Sequence, residues 1–170
     1  TLRIKSKAKI ALCGGTTPKA AYTLLGKKNL EWTNVDLFLG DERWVDKESQ
    51  ESNCFLLNKS LFKEGNPSLE ASFFRVSTVE LASPEDSAKD YETILKRNLD
   101  GDPPNFDLIL LGLGDDGHTA SLFPGSNALL ERDSLITVGE GKGHKSITFT
   151  SKLLSSAANV VFLISGSAKE

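Results

Sequence analysis

The chain has 170 residues, enough for one domain with a substantial hydrophobic core. Its hydrophobic fraction of 39% and charged fraction of 25% are ordinary for a soluble globular protein, and no run approaches the roughly 18 consecutive apolar residues of a membrane span. The net charge of −3 argues against nucleic acid as a main partner. The only cysteines, Cys13 and Cys54, lie far apart and are predicted to be buried thiols in a reducing, cytosolic setting.

The first predicted elements are a short buried strand over Lys9–Cys13 and a helix over Lys19–Leu25. Thr17 is a suitable N-cap for this helix, and Pro18 suits its first position. The connecting loop offers backbone N–H groups, hydroxyls and the positive end of a helix dipole, which together can hold a phosphate. A plain strand-to-helix turn explains the loop equally well. The loop residues are Gly14, Gly15, Thr16 and Thr17.

A second buried strand is predicted over Val35–Leu39, and a charged segment, Gly40–Arg43, follows at its end. Taken alone, these charges indicate a solvated turn. The same order of strand, glycine and charges recurs later in the chain, which favours a functional interpretation. Arg43 is suited to binding an anionic or carbonyl oxygen, and Asp41 to accepting a substrate hydroxyl or positioning a water.

Other elements follow from caps and periodicity. We expect helices over Cys54–Phe62, begun by Ser52 or Asn53, and from the N-cap Ser83 to about Asn98. Strands are predicted over Phe73–Val76, Leu135–Val138, Ile147–Thr150 and Val160–Ile164, with a turn at Gly139–Gly143 and a short helix capped by Ser151.

The stretch from Phe106 to Gly125 holds the candidate active site. Leu108–Leu111 is typical of a strand buried on both faces, and a glycine-rich segment with an ionisable cluster follows it. His118 is the best general acid or base, and Asp116 is placed to hold its ring in one tautomer. Ser121 lacks the G-x-S-x-G elbow of a serine hydrolase, so an activated water is preferred to a serine nucleophile.

Strands alternate with helices along the chain, which predicts an α/β, three-layer Rossmann-like fold with a largely parallel sheet flanked by helices. The carboxyl ends of parallel strands lie on one edge of a sheet. Four strand ends with polar residues are therefore expected to converge: Gly14–Thr17, Gly40–Arg43, Gly112–His118 and Ser165–Lys169. Lys169 is suited to binding phosphate. With two histidines in the sequence and no paired-cysteine motif, a protein-held zinc site is not expected.

Three blocks of sequence resemble the 6-phosphogluconolactonases, which are related to the glucosamine-6-phosphate deaminases. They are LCGGTTPKAAYTLL (Leu12–Leu25), FLGDERWVDKESQESNC (Phe38–Cys54) and FDLILLGLGDDGHTASLFPGS (Phe106–Ser126). A weaker fourth block, from Ser146 to Glu170, resembles the family's later strand–helix–strand. The resemblance implies a NagB/RpiA-like fold.

The resemblance further implies hydrolysis of 6-phospho-D-glucono-1,5-lactone to 6-phosphogluconate in the oxidative pentose phosphate pathway, in the cytoplasm, without metal or organic cofactor. By position, His118 would activate water, Asp116 would orient His118, and Arg43 with Asp41 would contact the lactone. Gly14–Thr17 and Lys169 would bind the phosphate. Nucleic acid and membrane are not expected as partners, and fusion to, or work beside, glucose-6-phosphate dehydrogenase is left open.

Two alternatives stay open, a glucosamine-6-phosphate deaminase or isomerase and a non-catalytic sugar-phosphate binding module. The run TASLFPG after His118 and the Arg43–Trp44 pair match the lactonase pattern better than the deaminase pattern.

The sequence departs from the lactonase pattern in two places. Where lactonases often have an arginine before an I-T-x-T strand, this chain has Ser146. If that arginine helps to hold the phosphate, either Lys145 or Lys142 substitutes for it here or phosphate binding is weaker. The chain also looks short at both ends. We therefore expect residues 1–170 to be a single lactonase-like domain that lacks segments found in other members.

Overall fold

The computed structural model describes residues 7–166, which form two sheets and four helices. The strands are β1 (Ala8–Leu12), β2 (Val35–Leu39), β3 (Asp41–Arg43), β4 (Ser72–Phe74), β5 (Leu108–Gly112), β6 (Ile136–Gly141), β7 (His144–Phe149) and β8 (Val160–Leu163). The helices are α1 (Thr16–Leu25), α2 (Asn53–Ser60), α3 (Pro84–Asn98) and α4 (Ser151–Ser156). Short 3-10 turns lie at Trp32–Asn34, Pro67–Glu70 and Asn127–Leu130.

The larger sheet has the order β4-β2-β1-β5-β8, and every neighbouring pair is parallel. The chain moves from β1 to β2 on one side of the sheet, whereas β5 and β8 extend it on the other side. The strand order therefore reverses between β1 and β5, and the crevice beyond the carboxyl ends of two such strands is where open α/β sheets bind ligands. The predicted α/β fold with a mostly parallel, helix-flanked sheet is confirmed.

The smaller sheet is antiparallel, has the order β3-β7-β6, and was not predicted. The interpretation of Gly40–Arg43 as a solvated turn is wrong, because Asp41–Arg43 forms β3 and Asp41 and Glu42 are buried. Gly40 donates its N–H to Leu12 at 2.9 Å and accepts from Phe149 at 3.0 Å, so the chain passes directly from one sheet into the other. Arg43 then lies opposite Ser146 on β7.

Helices α2 and α3 begin where local sequence signals place them. In α3, the Ser83 hydroxyl accepts the N–H of Asp86 at 3.1 Å, Pro84 is the first helical residue, and acids fill the first turn. Ser52 caps α2 in the same way. The caps predicted for α1 and α4 are wrong. Thr17 was predicted to cap α1, but the helix begins at Thr16. Thr150 and not Ser151 caps α4, its hydroxyl accepting the N–H of Leu153 at 3.4 Å.

The core lies between the sheets and the helices and is rich in aromatic rings. Phe106 contacts Phe38 edge-on with ring centroids 5.3 Å apart and stacks on Phe149 at 5.2 Å. The Tyr91 hydroxyl on α3 donates to the carbonyl of Leu39 at 3.0 Å and accepts its N–H at 2.9 Å, which ties the helix to the end of β2. Both cysteines are buried free thiols, as predicted. None of the helices in residues 7–166 is long and apolar enough to cross a membrane.

Candidate active site

A cleft of about 230 Å³ opens at the carboxyl ends of β1 and β5. It is lined by the Gly14–Pro18 loop, by Asp41 and Arg43 from β3, by Gly112–Gly114, and by His118. Three of the four strand ends expected to converge therefore do so. The two sheets share the site, because the parallel sheet supplies the glycine loops and the histidine, whereas the antiparallel sheet supplies the acid and the arginine.

His118 is held by a tight turn after β5. Gly114 donates its N–H to the His118 carbonyl at 2.7 Å, and a Cβ at Gly114 would overlap the imidazole ring. The ring's Nδ1 hydrogen-bonds to a carboxylate oxygen of Asp116, as the sequence predicted. This bond is the main cause that lowers the pKa of Asp116 to about 2. With Nδ1 as donor to an ionised carboxylate, Nε2 carries the lone pair and can accept a proton.

Asp41 is buried in the wall of the cleft, with both carboxylate oxygens hydrogen-bonded. The Ser121 hydroxyl donates to Oδ2 at 2.7 Å, and the Asn53 amide donates to Oδ1 at 3.3 Å and to the Asp41 carbonyl at 2.9 Å. Burial raises the pKa of Asp41 above its ordinary value, while the Ser121 hydrogen bond, the positive charge of Arg43 and the charge that His118 carries when protonated act against that rise. Ser121 is thus a buried partner of an acid, which agrees with the prediction that it is no nucleophile.

Arg43 lies at the end of β3 with its guanidinium in the cleft. One Nη1–H is donated to the main-chain carbonyl of Glu51 at 2.6 Å. The carbonyl fixes the direction of the side chain without neutralising its charge, since a peptide oxygen carries only a partial charge. The remaining donors of the guanidinium fork can bind an oxygen of a ligand.

Glu42, between the two cleft residues of β3, points the other way and is 1% exposed. Its carboxylate accepts the Ser52 hydroxyl at 2.9 Å and the N–H groups of Asn53, Cys54 and Arg43 at 2.7, 2.7 and 2.8 Å. Burial raises the pKa of Glu42, and these four donors oppose the rise. The carboxylate occupies the positive end of α2, which fixes β3 against that helix.

The Gly14–Thr17 loop leaves the first N–H groups of α1 without a side-chain acceptor. Gly15 is the N-cap, with φ of 104°, a conformation that favours glycine. The other three helices in the described part of the chain each have a Ser or Thr hydroxyl that caps them. The open start of α1 faces the cleft and can bind an anion.

One predicted phosphate-binding residue does not line the cleft, and a second lies outside the described residues. Lys145 is exposed on β7, opposite Glu140 on β6, and does not line the cleft. Lys169 lies outside the described residues; Ser165 and Gly166, just before it, do not line the cleft either.

Two lining residues were only partly recognised in the sequence: Asn53 was not predicted as part of the site, and Lys142 was named only as one of two possible substitutes for the missing arginine. Asn53 was noted in the sequence only as a helix start, yet its side chain bridges β3 and the Gly14 loop, where a Cβ on Gly14 would overlap the Asn53 amide. Lys142 reaches the cleft from the turn between β6 and β7. The only signal for Lys142 in the sequence was that Ser146 stands where lactonases often have an arginine.

Asp115, Asp116 and His118 are the group of possible metal ligands that the described residues bring together, with donor atoms within 4.8 Å of one another. Asp116 is engaged by His118, and Asp115 by Lys142 at 2.5 Å. Both acids are exposed, and each is paired with a side chain that lines the cleft, Asp116 with His118 and Asp115 with Lys142.

A parallel sheet with an aspartate–histidine pair and an arginine at its switch point defines an α/β enzyme with an acid–base site. The sequence profile of the family described as glucosamine-6-phosphate isomerases/6-phosphogluconolactonase matches residues 1–170. The chain belongs to this family, and the resemblance predicted from its motifs is confirmed.

The chain is similar to several 6-phosphogluconolactonases. The 6-phosphogluconolactonase of Synechocystis sp. is 42% identical over 169 residues, which are 98% of this chain and 70% of that protein. The 6-phosphogluconolactonase of Nostoc sp. is 39% identical over 163 residues, 94% of this chain and 67% of that protein. The crystal structure of a 6-phosphogluconolactonase from Shewanella baltica superposes with a TM-score of 0.86 at 29% identity, covering 97% of this chain and 70% of that one.

Proposed function

We propose that the chain is a 6-phosphogluconolactonase, which hydrolyses 6-phospho-D-glucono-1,5-lactone to 6-phosphogluconate in the oxidative pentose phosphate pathway. The proposal is carried by one observation, the cleft that brings His118, Arg43 and the open start of α1 together. Similarity to lactonases from cyanobacteria and other bacteria supports the same conclusion. A lactone is an activated ester, so one base and one cationic group suffice for its hydrolysis.

In the proposed mechanism, His118 is the general base. Its Nε2 takes a proton from a water that attacks the lactone carbonyl carbon, and the Asp116 carboxylate stabilises the imidazolium that forms. The carbonyl oxygen becomes an oxyanion, for which the Arg43 guanidinium is the available cation. When the ring C–O bond breaks, the leaving oxygen takes the proton from Nε2, and the product is the open-chain acid.

Asp41 has a different role in this proposal. Its carboxylate is buried, and both oxygens already accept hydrogen bonds. It therefore sets the potential around Arg43 and His118 and orients a ligand hydroxyl or the water, while His118 moves the proton. The phosphate of the ligand would bind at the start of α1, where the N–H groups have no side-chain acceptor. A contribution from Lys169 at this end remains a prediction.

The test is acid release from freshly prepared 6-phosphogluconolactone, measured as the initial rate above spontaneous hydrolysis. His118→Ala should lower kcat by at least roughly 100-fold, the usual contribution of a general base. His144→Ala is the matched control, because this second histidine pairs with Glu51 and does not line the cleft. Wild-type turnover in His118→Ala would exclude His118 as the base.

A second substrate separates the proposal from its nearest rival. Ammonia release from glucosamine 6-phosphate, with no lactone hydrolysis, would identify a deaminase instead. Binding of 6-phosphogluconate with turnover of neither substrate would identify a sugar-phosphate binding module. Location in the cytoplasm and association with glucose-6-phosphate dehydrogenase belong to the proposal as well, and fractionation and co-purification would test them.

A further inference from the structure

The tip of the β6–β7 hairpin lies at the cleft and carries a lysine there. Gly141 pairs with His144, so Lys142 and Gly143 form a two-residue turn. Both have positive φ, 53° and 82°, as in a type I′ turn. This turn usually contains Asn or Gly, because positive φ is unfavourable for a long side chain such as that of lysine. In residues 7–166 the other non-glycine residue with positive φ is Ala120, and it lines the same cleft.

Close packing fixes where the hairpin tip lies. Gly139 sits against Ser121, where an added Cβ would come within 3.1 Å of the Ser121 Cβ. Gly141 sits on the Phe123 ring, and that ring contacts the His118 imidazole with centroids 4.4 Å apart. Two glycines thus let β6 approach the loop that carries the histidine. The packing directs Lys142 toward the cleft.

The amine of Lys142 forms a solvent-exposed ion pair with Asp115, and this pair can be broken when another anion binds. Its Nζ lies 2.5 Å from Oδ1 of Asp115, and the two side chains are 51% and 72% exposed. An ion pair this open to water contributes little to stability, so an anion entering the cleft can replace Asp115. The Asp115 hydrogen bond raises the pKa of Lys142, so the amine keeps its charge near neutral pH.

The cleft has few permanent cations to meet an anionic ligand. Among its described lining residues, Arg43 and Lys142 are the ones with a permanent positive charge, and Arg43 is held by Glu51. Lys145, the rival on the same hairpin, is exposed outside the lining. Ser146, where lactonases often have an arginine, is buried opposite Arg43.

We propose that Lys142 is an anion-binding residue of the cleft, which exchanges Asp115 for an anionic oxygen group of the ligand, a phosphate or a carboxylate. Asp115 holds the lysine at the cleft in the ligand-free protein and competes with the ligand for it. This inference deepens the proposed function and rests on it for the identity of the ligand. The replacement of Asp115 by the ligand at the Lys142 amine can be measured by ligand binding, without an activity assay.

The experiment is calorimetric titration of 6-phosphogluconate into the unsubstituted protein and its variants. Lys142→Gln should weaken binding roughly tenfold, the value of one charge-assisted hydrogen bond, and Lys142→Arg should restore most of it. Asp115→Asn should tighten binding about two- to threefold, because the competitor is gone. In the Lys142→Gln background, Asp115→Asn should have almost no effect, which separates competition for Lys142 from a general change in charge.

Two further variants and two further probes complete the test. Lys152→Gln, an exposed lysine on α4, should leave binding unchanged, and an equal loss in Lys142→Gln and Lys152→Gln would overturn the proposal. So would a loss in Lys145→Gln without one in Lys142→Gln, or unchanged binding in Asp115→Asn. Titration with inorganic phosphate tests the phosphate group of the ligand, and titration with gluconate tests its carboxylate. The probe that binds more weakly to Lys142→Gln than to the unsubstituted protein identifies the group that Lys142 binds. If the protein hydrolyses the lactone but ligand binding does not depend on Lys142, this inference alone is overturned. If ligand binding depends on Lys142 but the lactone is not hydrolysed, the proposed function alone is overturned.

Discussion

Replacing Ser121 by alanine tests the buried hydrogen bond on which the geometry of Asp41 depends. The substitution removes the hydroxyl that donates at 2.7 Å to Oδ2 of Asp41, a carboxylate that is buried in the cleft wall. A hydrogen bond to a charged group contributes about 1.5–3 kcal/mol, and one between neutral groups about 0.5–1.5 kcal/mol. The cost of Ser121→Ala should therefore depend on whether Asp41 is ionised.

The sign of the pH dependence follows from the pKa of Asp41. Burial raises its folded-state pKa above the ordinary value of 3.8, so its contribution to stability is full below that value and declines as pH rises through the folded-state pKa. The Ser121 hydrogen bond lowers this pKa, and its removal makes the decline larger. We expect Ser121→Ala to lower the free energy of unfolding by about 1.5–3 kcal/mol at about pH 8 and by about 0.5–1.5 kcal/mol at about pH 4.

Urea unfolding at both pH values measures the effect, provided that the slope m is unchanged. Ser126→Ala is the matched control, because the Ser126 hydroxyl is also buried but has no hydrogen-bond partner. Its removal should be neutral or slightly stabilising, since no bond is lost. Equal losses in the two variants, or a larger loss for Ser121→Ala at the lower pH, would refute the argument.

Three further predictions concern residues in or near the cleft. Glu42→Ala should lower the free energy of unfolding by about 2–6 kcal/mol, because the buried N–H groups of Asn53 and Cys54 lose their acceptor; a loss below about 1 kcal/mol in urea unfolding would contradict this. Gly14→Ala should lower kcat/KM by roughly tenfold or more, because its methyl group would displace the Asn53 amide, and unchanged kinetics would show that the loop can move aside. Burial raises the pKa of Cys13 to about 11, so a thiol reagent at about pH 8 should modify it only after unfolding, as mass spectrometry of native and denatured samples can show.

The elements that could be predicted from the sequence are those with local signals. The start of α3 was predicted at the residue where it occurs, because an N-cap serine, a proline and two acids stand together at Ser83–Asp86. Strand β2 was predicted with the observed bounds, since its apolar run ends at a glycine. The smaller sheet could not be predicted, because β3 has only three residues and its partner β7 lies about a hundred positions later in the chain.

The same division applies to the site. His118 and Asp116 were predicted as a pair because they lie two residues apart on a glycine-rich strand end. The contact of Ser121 with Asp41 joins positions 80 residues apart, and Lys142 reaches the cleft only because glycines allow β6 to approach Phe123. Both depend on tertiary packing, which leaves no pattern in a single sequence.

Because the cleft contains residues from both sheets, enzyme activity reports whether the two sheets unfold together or separately. Helix α3 packs against β6 and β7, and the smaller sheet joins the larger one through the short connection at Gly40, the Phe106–Phe149 ring contact and the buried Asp41–Ser121 hydrogen bond. An opening confined to the smaller sheet would remove Asp41 and Arg43 from the cleft while the parallel sheet stayed folded. Catalysis would then be lost at a lower urea concentration than the helical signal, and amides of β3 would exchange with solvent before those of β1.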